Sequence, residues 1–511
     1  MSRVDVLIAG AGPTGLGLAL WLARLGVSVC VVDKSAGPGE TSRAIAVQAR
    51  TLEYYAQLGI AAEAVYRGRI ANAIDVRLEG KLVSEFDFGD RGDAVHALSP
   101  YPFLLVFPQD EHERLLVERL RGAGVEVRRG TELLEFDDAG DGVAAVLGTP
   151  DGTRERLEAR FVCGCDGAHS TVRRQIGATF PGGTYDRVFY VADVRGGGGA
   201  LDRKLNFCLS EDDFCITLPL RGGETMRLIG GLEQAVADDR EPAFADVAAK
   251  AAALTGASFA GVDWFSTYRV HHRVADVFRK GNAFLLGDAG HIHSPAGGQG
   301  MNTGIGDAAN LAWKLAAVLQ GRADATILDT YESERLPFAR ALVATTDRIF
   351  ERAVGHSLFD RLLRTVFVPR IAPELLNIEA VRVKWFEFVS QIRIEYRKSA
   401  LSAGAAGAWR GGDRLPWVEG PGGGNFAALA SLDWQIHVYG TAAQAVRDAA
   451  AERGVDVFEF APSDAALRAR LEENALYLVR PDGYIALAQT LQDAGALRRY
   501  LAAFAITGRA A

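Results

Sequence analysis

Residues 4–33 read VDVLIAGAGPTGLGLALWLARLGVSVCVVD. The largely apolar run Val4–Ala9 closes on a glycine, the pattern of a buried strand that stops at a turn. Gly10, Gly12 and Gly15 then spell G-x-G-x-x-G, and Leu16, Ala19, Leu20, Leu22 and Ala23 recur at helical spacing behind them. Val29–Val32 reads as a second strand, which ends at Asp33, eighteen residues after Gly15. Strand, glycine turn, helix and strand make a βαβ unit. In such a unit Gly12 admits a pyrophosphate, Gly15 allows close helix packing and the acid meets ribose hydroxyls. Pro13 and Thr14 at the helix start and Lys34 beside the acid complete the expected contacts. An adenine dinucleotide is therefore expected here, with FAD and a nicotinamide both open.

A second stretch, Gly281–Leu319, reads GNAFLLGDAGHIHSPAGGQGMNTGIGDAANLAWKLAAVL. Ala283–Leu286 predicts a short buried strand ending at Gly287, with Asp288 at its tip. From Pro295 through Gly298, Gln299 and Gly300 to Met301 and Asn302, glycines let the backbone approach a flat ligand that a β-carbon would strike. Apolar residues from Ile305 to Leu319 at helical spacing predict a helix from about Thr303, its positive end toward the loop. Unpaired N–H groups there favour negative charge, as on the pyrimidine edge of a reduced flavin. The stretch is read as the seat of a flavin ring.

Between these two stretches, Arg43 precedes a helix that runs to Gly59; it either reaches a phosphate or ring carbonyl or lies solvated. Gln109 opens a helix with an apolar stripe of Leu115, Leu116, Val117 and Leu120, and either meets the cofactor or caps the helix. FVCGCDGAHSTVRRQIG, 161–177, runs strand, turn, helix, with Asp166 in the turn, Ser170 as N-cap, and Arg173 and Arg174 one turn in, an end suited to phosphates. The C-x-C pair Cys163 and Cys165 lacks further ligands for zinc and reads as small residues in a tight turn. From Phe180 to about Arg279, strand-like runs separated by glycine and acidic turns predict an antiparallel sheet. Its aromatics Phe189, Tyr190, Phe207 and Phe214 either wall a substrate pocket with Pro295 or fill a core; His271 either takes a phenolic proton or is structural. After residue 320 the pattern is helical to about Tyr396. Residues 402–425, rich in glycine and alanine, read as a linker, followed by a small α/β layer.

With 511 residues, two or three domains are expected. A net charge of −8 without a long basic run argues against nucleic acid, and no apolar segment approaches the ~18 residues that cross a bilayer. The run Val4–Ala9 leads into a glycine rather than a cleavage site, and five cysteines without C-x-x-C fit a reducing compartment, so a cytoplasmic protein is expected, a monomer or homodimer.

Three motifs in order, Gly10/Gly12/Gly15 with Asp33, Cys165-Asp166-Gly167 through Arg173, and Gly287-Asp288 continuing into HIHSPAGGQGMN, resemble the class A FAD-dependent aromatic hydroxylases of the phenol and polyketide type. The resemblance implies an α/β fold: a Rossmann FAD-binding domain of the glutathione-reductase kind (1–70, 101–179 and 276–345), an antiparallel substrate domain (71–100 and 180–275), a helical segment (346–400) and a thioredoxin-like C-terminal domain (401–511). That last domain, lacking C-x-x-C, is expected to be redox-inert. It further implies that Asp288 holds the ribityl chain, that 295–302 contacts the isoalloxazine, and that Asp166 serves FAD and the transient approach of NADPH or NADH. The implied chemistry is hydride transfer to FAD, O2 addition to give a flavin hydroperoxide, and hydroxylation of a small aromatic substrate, with no protein catalytic residue assigned. Gly306 departs from the glutamine of many relatives. Oxidase, reductase and halogenase chemistry on this scaffold and a non-catalytic flavoprotein are the alternatives; the W-x-W-x-I-P run of a halogenase is absent.

Overall fold

The computed structural model describes residues 2–39, 44–87, 94–220, 222–232, 242–294, 298–355 and 357–509. In chain order the elements that matter below are β1 (Ser2–Ala9), α1 (Pro13–Arg24), β2 (Val29–Asp33), α2 (Ala49–Gln57), β3 (Ala73–Leu78), β4 (Lys81–Asp87), α3 (Gln109–Gly122), β5 (Val127–Arg129), β6 (Arg154–Gly164) and α4 (Thr171–Gln175). There follow β7 (Gly182–Gly197), β8 (Leu205–Leu209), β9 (Phe214–Pro219), β10 (Thr225–Leu232), α5 (Ala245–Thr255), β11 (Ser258–Val274), β12 (Ala283–Leu285), α6 (Gly300–Leu319) and α7 (Asp329–Val354).

The first sheet runs β12-β6-β1-β2-β5, all parallel along this path, with an antiparallel hairpin of 132–138 and 143–148 on β6. Central β1 is covered on both faces, so Val6, Leu7, Ile8 and Ala9 are all buried and the strand shows an unbroken apolar run rather than alternation. α1 is buried nearly all round because it lies between this sheet and α6. α6 begins at Gly300, not Thr303, so Gly300, Met301 and Asn302 form its first turn instead of the end of a loop. Spanning about 30 Å at 1.5 Å per residue, it carries Asp307, Asn310 and Lys314 buried among alanines and leucines.

The second sheet runs from residues 291–292 through β11-β7-β10-β9-β8-β3 to β4. It is antiparallel except where β8 pairs parallel with β3. Strand alternation gives it two unlike faces. One face packs Val188, Tyr190, Ala192, Cys208 and Cys215 against α5. The other turns Phe189, Phe207, Phe214, Ile216 and Ile229 toward the rest of the molecule, where they meet 101–104, α7 and the helical segment after it.

The stretch expected as a linker is not one: Ala403–Ala406 and Trp409–Arg410 are strands of a third sheet, and Asp413 and Arg414 are buried. Glycine and alanine there serve close approach, since a β-carbon on Gly411 would stand 2.2 Å from the Ala403 nitrogen. That sheet continues through Ile485–Gln489, Leu476–Val479, Gln435–Tyr439 and Asp456–Phe460. Among the described residues no helix is long and apolar enough to cross a membrane.

Candidate functional site

Parallel strands in register end together. Ala9 pairs with Gly164 and with Val32, and Gly164 pairs with Leu285, so the turns after β1, β2, β6 and β12 share one carboxyl edge. Backbone bonds lock them: Cys165 N–H donates to Ala9 O at 2.7 Å, Leu286 N–H to Gly164 O at 3.0 Å, and Gly10 N–H to Val32 O at 2.8 Å. Open α/β sheets bind ligands at this edge.

The fingerprint glycines divide their work. Gly10 has φ +101°, and a β-carbon on it would lie 2.2 Å from the Cys165 carbonyl oxygen; one on Gly15 would lie 2.0 Å from Gly10 O. Gly12, the N-cap of α1, has nothing within 4 Å of its missing β-carbon. That open side, at a helix start with Pro13 in the first position, is room for a phosphate. Thr14 Oγ1 nests between Gly287 and Gly304, whose β-carbons would approach it to 2.7 and 2.2 Å, so the first turn, the Gly-Asp turn and α6 interlock.

Asp33 Oδ2 accepts the Ala11 N–H at 2.6 Å and Oδ1 the Ser35 N–H at 2.7 Å, which aims the carboxylate along the edge with lone pairs to spare; Lys34 beside it is exposed. Asp166 Oδ2 accepts the N–H groups of Thr171 and Val172 at 2.7 and 3.3 Å, while its Oδ1 is buried without a partner among the described residues. A cavity of about 310 Å³ lies between these groups, lined by Gly10, Asp33, Lys34, Asp166, His169 and Arg174. An orphaned carboxylate oxygen, an open glycine and a cavity of that size fit the nucleotide end of FAD.

Ser170 caps α4, accepting the Arg173 N–H at 2.9 Å. Arg173 itself does not face the edge: its guanidinium donates to Ala289 O at 2.9 Å and Ala168 O at 2.6 Å over the Phe180 ring, because a buried cation must be paired. Arg174 does line the cavity while bonding Thr171 Oγ1 at 2.9 Å.

Gly287–Ala289 forms a single 3-10 turn in which Asp288 is exposed between buried neighbours. Gly298 and Gly300 are half-buried, Met301 packs on the core and Gln299 is buried. Asn302 accepts from Gln48 N–H (2.9 Å) and Thr51 Oγ1 (2.8 Å) and donates to Ala46 O (2.8 Å) and Gly298 O (2.9 Å). Its side chain is thereby fully used; what the α6 start offers a ligand is the N–H groups of its first turn, which have no partner within the helix. His293 lies beside Gly300 with Nδ1 toward the Ser294 carbonyl at 2.8 Å; burial lowers its pKa to about 4, leaving a neutral ring whose Nε2 has no partner among the described residues. Gln109 opens α3, its N–H on Ala44 O and its amide on Glu113 at 2.8 Å. Arg43 and Pro295 lie outside the described residues.

The aromatic candidates separate. Phe189 and Phe214 share a cluster with Phe350 of α7, their ring centroids 6.2 Å apart. Phe207 belongs to another, with Tyr101, Leu104, Ile216, Ile229, Leu376 and Trp385, most of them only partly buried. Tyr190 is a correction: one residue along from Phe189, it points to the opposite face, under α5, and cannot line the same wall. His271 is another: next to Val270, which packs with Phe189, it turns the other way and pairs with Thr184 Oγ1 at 2.7 Å; burial first, then Arg273 and His169, lower its pKa.

Sequence reading passed over Asp307, His291 and Arg335. Asp307 Oδ2 accepts the Gly287 N–H at 2.9 Å and pairs with His291 Nε2 at 2.7 Å; Oδ1 pairs with Arg335 Nε at 2.6 Å. Burial alone would raise this carboxyl, but Arg335 and His291 hold it below its usual value. The available signal was a charge inside an apolar helix, GIGDAANLA. Gly306 lies where Arg335 packs: a β-carbon there would stand 3.3 Å from Nη2.

A family profile described as "FAD binding domain" matches residues 3–346, and one described as "Aromatic-ring hydroxylase, C-terminal" matches 411–509. A 6-methylpretetramide 4-monooxygenase of Streptomyces rimosus is 39% identical over 347 residues, 67% of this chain and 61% of that one. A flavin-dependent monooxygenase of Mycobacteroides abscessus is 32% identical over 510 residues, 94% of this chain and 96% of that one. The solved structure of the anhydrotetracycline hydroxylase OxyS from Streptomyces rimosus superposes with a TM-score of 0.79 at 28% identity, covering 99% and 100% of the two chains. The chain belongs to the FAD-binding aromatic-ring hydroxylases and is an FAD-dependent monooxygenase.

Proposed function

We propose that FAD lies along the shared carboxyl edge, its nucleotide end between Gly12, Asp33 and Asp166, its ribityl chain at Asp288, and its ring against the first turn of α6, with Gln109 at the rim. FAD supplies the electron transfer and oxygen chemistry when bound, drawing on NAD(P)H. This chain's residues bind and orient. The N–H groups of Gly300, Met301 and Asn302 offset negative charge on the ring edge, and the neutral His293 beside them accepts a hydrogen bond without adding charge.

The substrate on this reading is a planar aromatic ring system, phenolic or of polyketide type, resting on the partly buried side chains of Phe207, Ile216, Ile229, Leu104 and Leu376. These side chains form one apolar cluster, a surface that suits an aromatic ring and keeps water from the reacting face. The relatives above, named for 6-methylpretetramide and anhydrotetracycline, support a substrate of this kind. The domain limits that go with it are 1–70, 101–179 and 276–345 for FAD, 71–100 and 180–275 for substrate, 346–400 helical and 401–511 C-terminal. A thioredoxin-like reading of the last is supported by its parallel pair 435–439 and 456–460 around a helix, followed by two antiparallel strands and a final helix.

The observation that carries the proposal is the common edge of the three motif turns. The test is consumption of NAD(P)H and O2 stimulated by a phenolic or fused-ring compound, with a product heavier by one oxygen. Peroxide release with every such compound and no oxygenated product would favour an oxidase instead.

A further inference from the structure

The third sheet reaches the flavin turn through buried charge. Its hairpin 476–489 carries Arg480, which bonds Glu334 Oε1 and Oε2 at 2.7 and 3.0 Å and Asp482 at 3.0 and 2.6 Å, with all three side chains buried. Lys314 of α6 adds a bond to Glu334 at 2.8 Å. Three rings surround the cation there: Arg480 lies 5.2 to 5.4 Å from the rings of Trp313, Tyr396 and Tyr484, and Tyr396 and Tyr484 are 4.4 Å apart. Tyr396 Oη accepts from Arg335 Nη1 at 2.9 Å, Arg335 reaches Thr303 O at 3.0 Å and Asp307 at 2.6 Å, and Asp307 holds the Gly287 N–H. Arg480 meets Tyr396 through a cation–ring contact, and the links from Tyr396 through Arg335 and Asp307 to Gly287 are charge-assisted hydrogen bonds between buried groups, so Arg335 cannot drift without leaving a buried charge unpaired.

We propose that the C-terminal hairpin acts on the cofactor: through Tyr396 and Arg335 it sets the place and the charge balance of Asp307, and so the grip of the Gly287–Asp288 turn on FAD. Tyr396, Arg335 and Asp307 are positioning residues. The C-terminal layer, which has no redox pair of its own, thereby tunes the flavin of another domain. This rests on the reading of Gly287–Asp288 as a flavin contact.

The test compares Tyr396→Phe with Tyr500→Phe in the full chain. Tyr500 Oη donates to Leu401 O at 2.7 Å in the same interface and among the described residues has no hydrogen bond to Arg335 or Asp307, so it matches the loss of one buried hydroxyl. FAD affinity by titration of the apoprotein, thermal midpoint, and the midpoint potential of the bound flavin are read for each. Tyr396→Phe should weaken FAD binding about tenfold and, with Arg335 less well held, lower the potential by about 30 mV, a tenfold change in relative affinity for the two redox forms. Asp307→Asn, which deletes the negative charge, should shift the potential upward. Tyr500→Phe should move the thermal midpoint alone. Equal potentials in all variants, or equal shifts for Tyr396→Phe and Tyr500→Phe, overturn the proposal. A wild-type chain that ignores FAD overturns instead the reading on which it rests.

Discussion

Gly10 and Gly12 stand two residues apart and answer to different demands. Gly10→Ala puts a methyl into the Cys165 carbonyl at a positive φ, so a loss of several kcal/mol and poor folding are expected. Gly12→Ala meets no protein atom, so its apoprotein should melt within a degree or two of wild type while FAD affinity falls at least tenfold; differential scanning calorimetry and cofactor titration check the pair. Asp288→Ala should likewise spare the fold, because the side chain is exposed, yet leave a colourless or readily bleached protein. Purified Asp288→Ala that stays yellow with unchanged affinity would remove Asp288 from the site.

At the scale of elements, strand alternation assigns function. β7 sends Phe189 to the face that packs on Phe350 of α7 and Tyr190 to the face under α5, so a one-residue slip would exchange the two faces. Phe207→Ala should therefore raise KM for the aromatic substrate and divert reducing equivalents to peroxide, whereas Tyr190→Phe, which loses a long hydrogen bond to Cys215 Sγ at 3.9 Å, should keep wild-type coupling. Peroxide yield per NAD(P)H oxidised distinguishes them. α6 shows the same economy: its first turn has N–H groups without partners inside the helix, and its middle carries the Asp307 and Lys314 charges that fasten it to neighbours.

For the molecule as a whole, three buried carboxylates govern acid stability. Burial raises Glu334, Asp307 and Glu53, but Arg480 and Lys314, Arg335 and His291, and Arg414 and Arg50 respectively pull them below their ordinary values of 4.5, 3.8 and 4.5. The unfolded chain takes up these protons at a higher pH than the native one, so the stability they confer is present above about pH 5 and is lost as the pH falls through 4 toward the folded values. Thermal midpoints measured from pH 7 to pH 3 should drop steeply below about pH 5. Glu334→Gln, which leaves Arg480 and Lys314 half-paired, should cost about 3–5 kcal/mol at neutral pH and flatten the acid slope.

What the chain's own letters determined was the set of local devices: the strand-turn-helix start with Gly10, Gly12, Gly15 and Asp33, the Ser170 cap, the Gly287-Asp288 turn and the sheet of the middle third. Each is a short-range pattern, written in periodicity and in glycine, and each is legible because backbone sterics act between near neighbours. Only the tertiary structure decided that Tyr190 and His271 face away, that Arg173 is spent on Ala289, that residues 403–410 are strand rather than linker, and that Asp307, Arg335, Tyr396 and Arg480 form one path. Those outcomes depend on which distant surface covers a residue and which remote charge pairs with it, and no spacing along the chain encodes a contact such as Arg480 with Glu334, 146 residues apart.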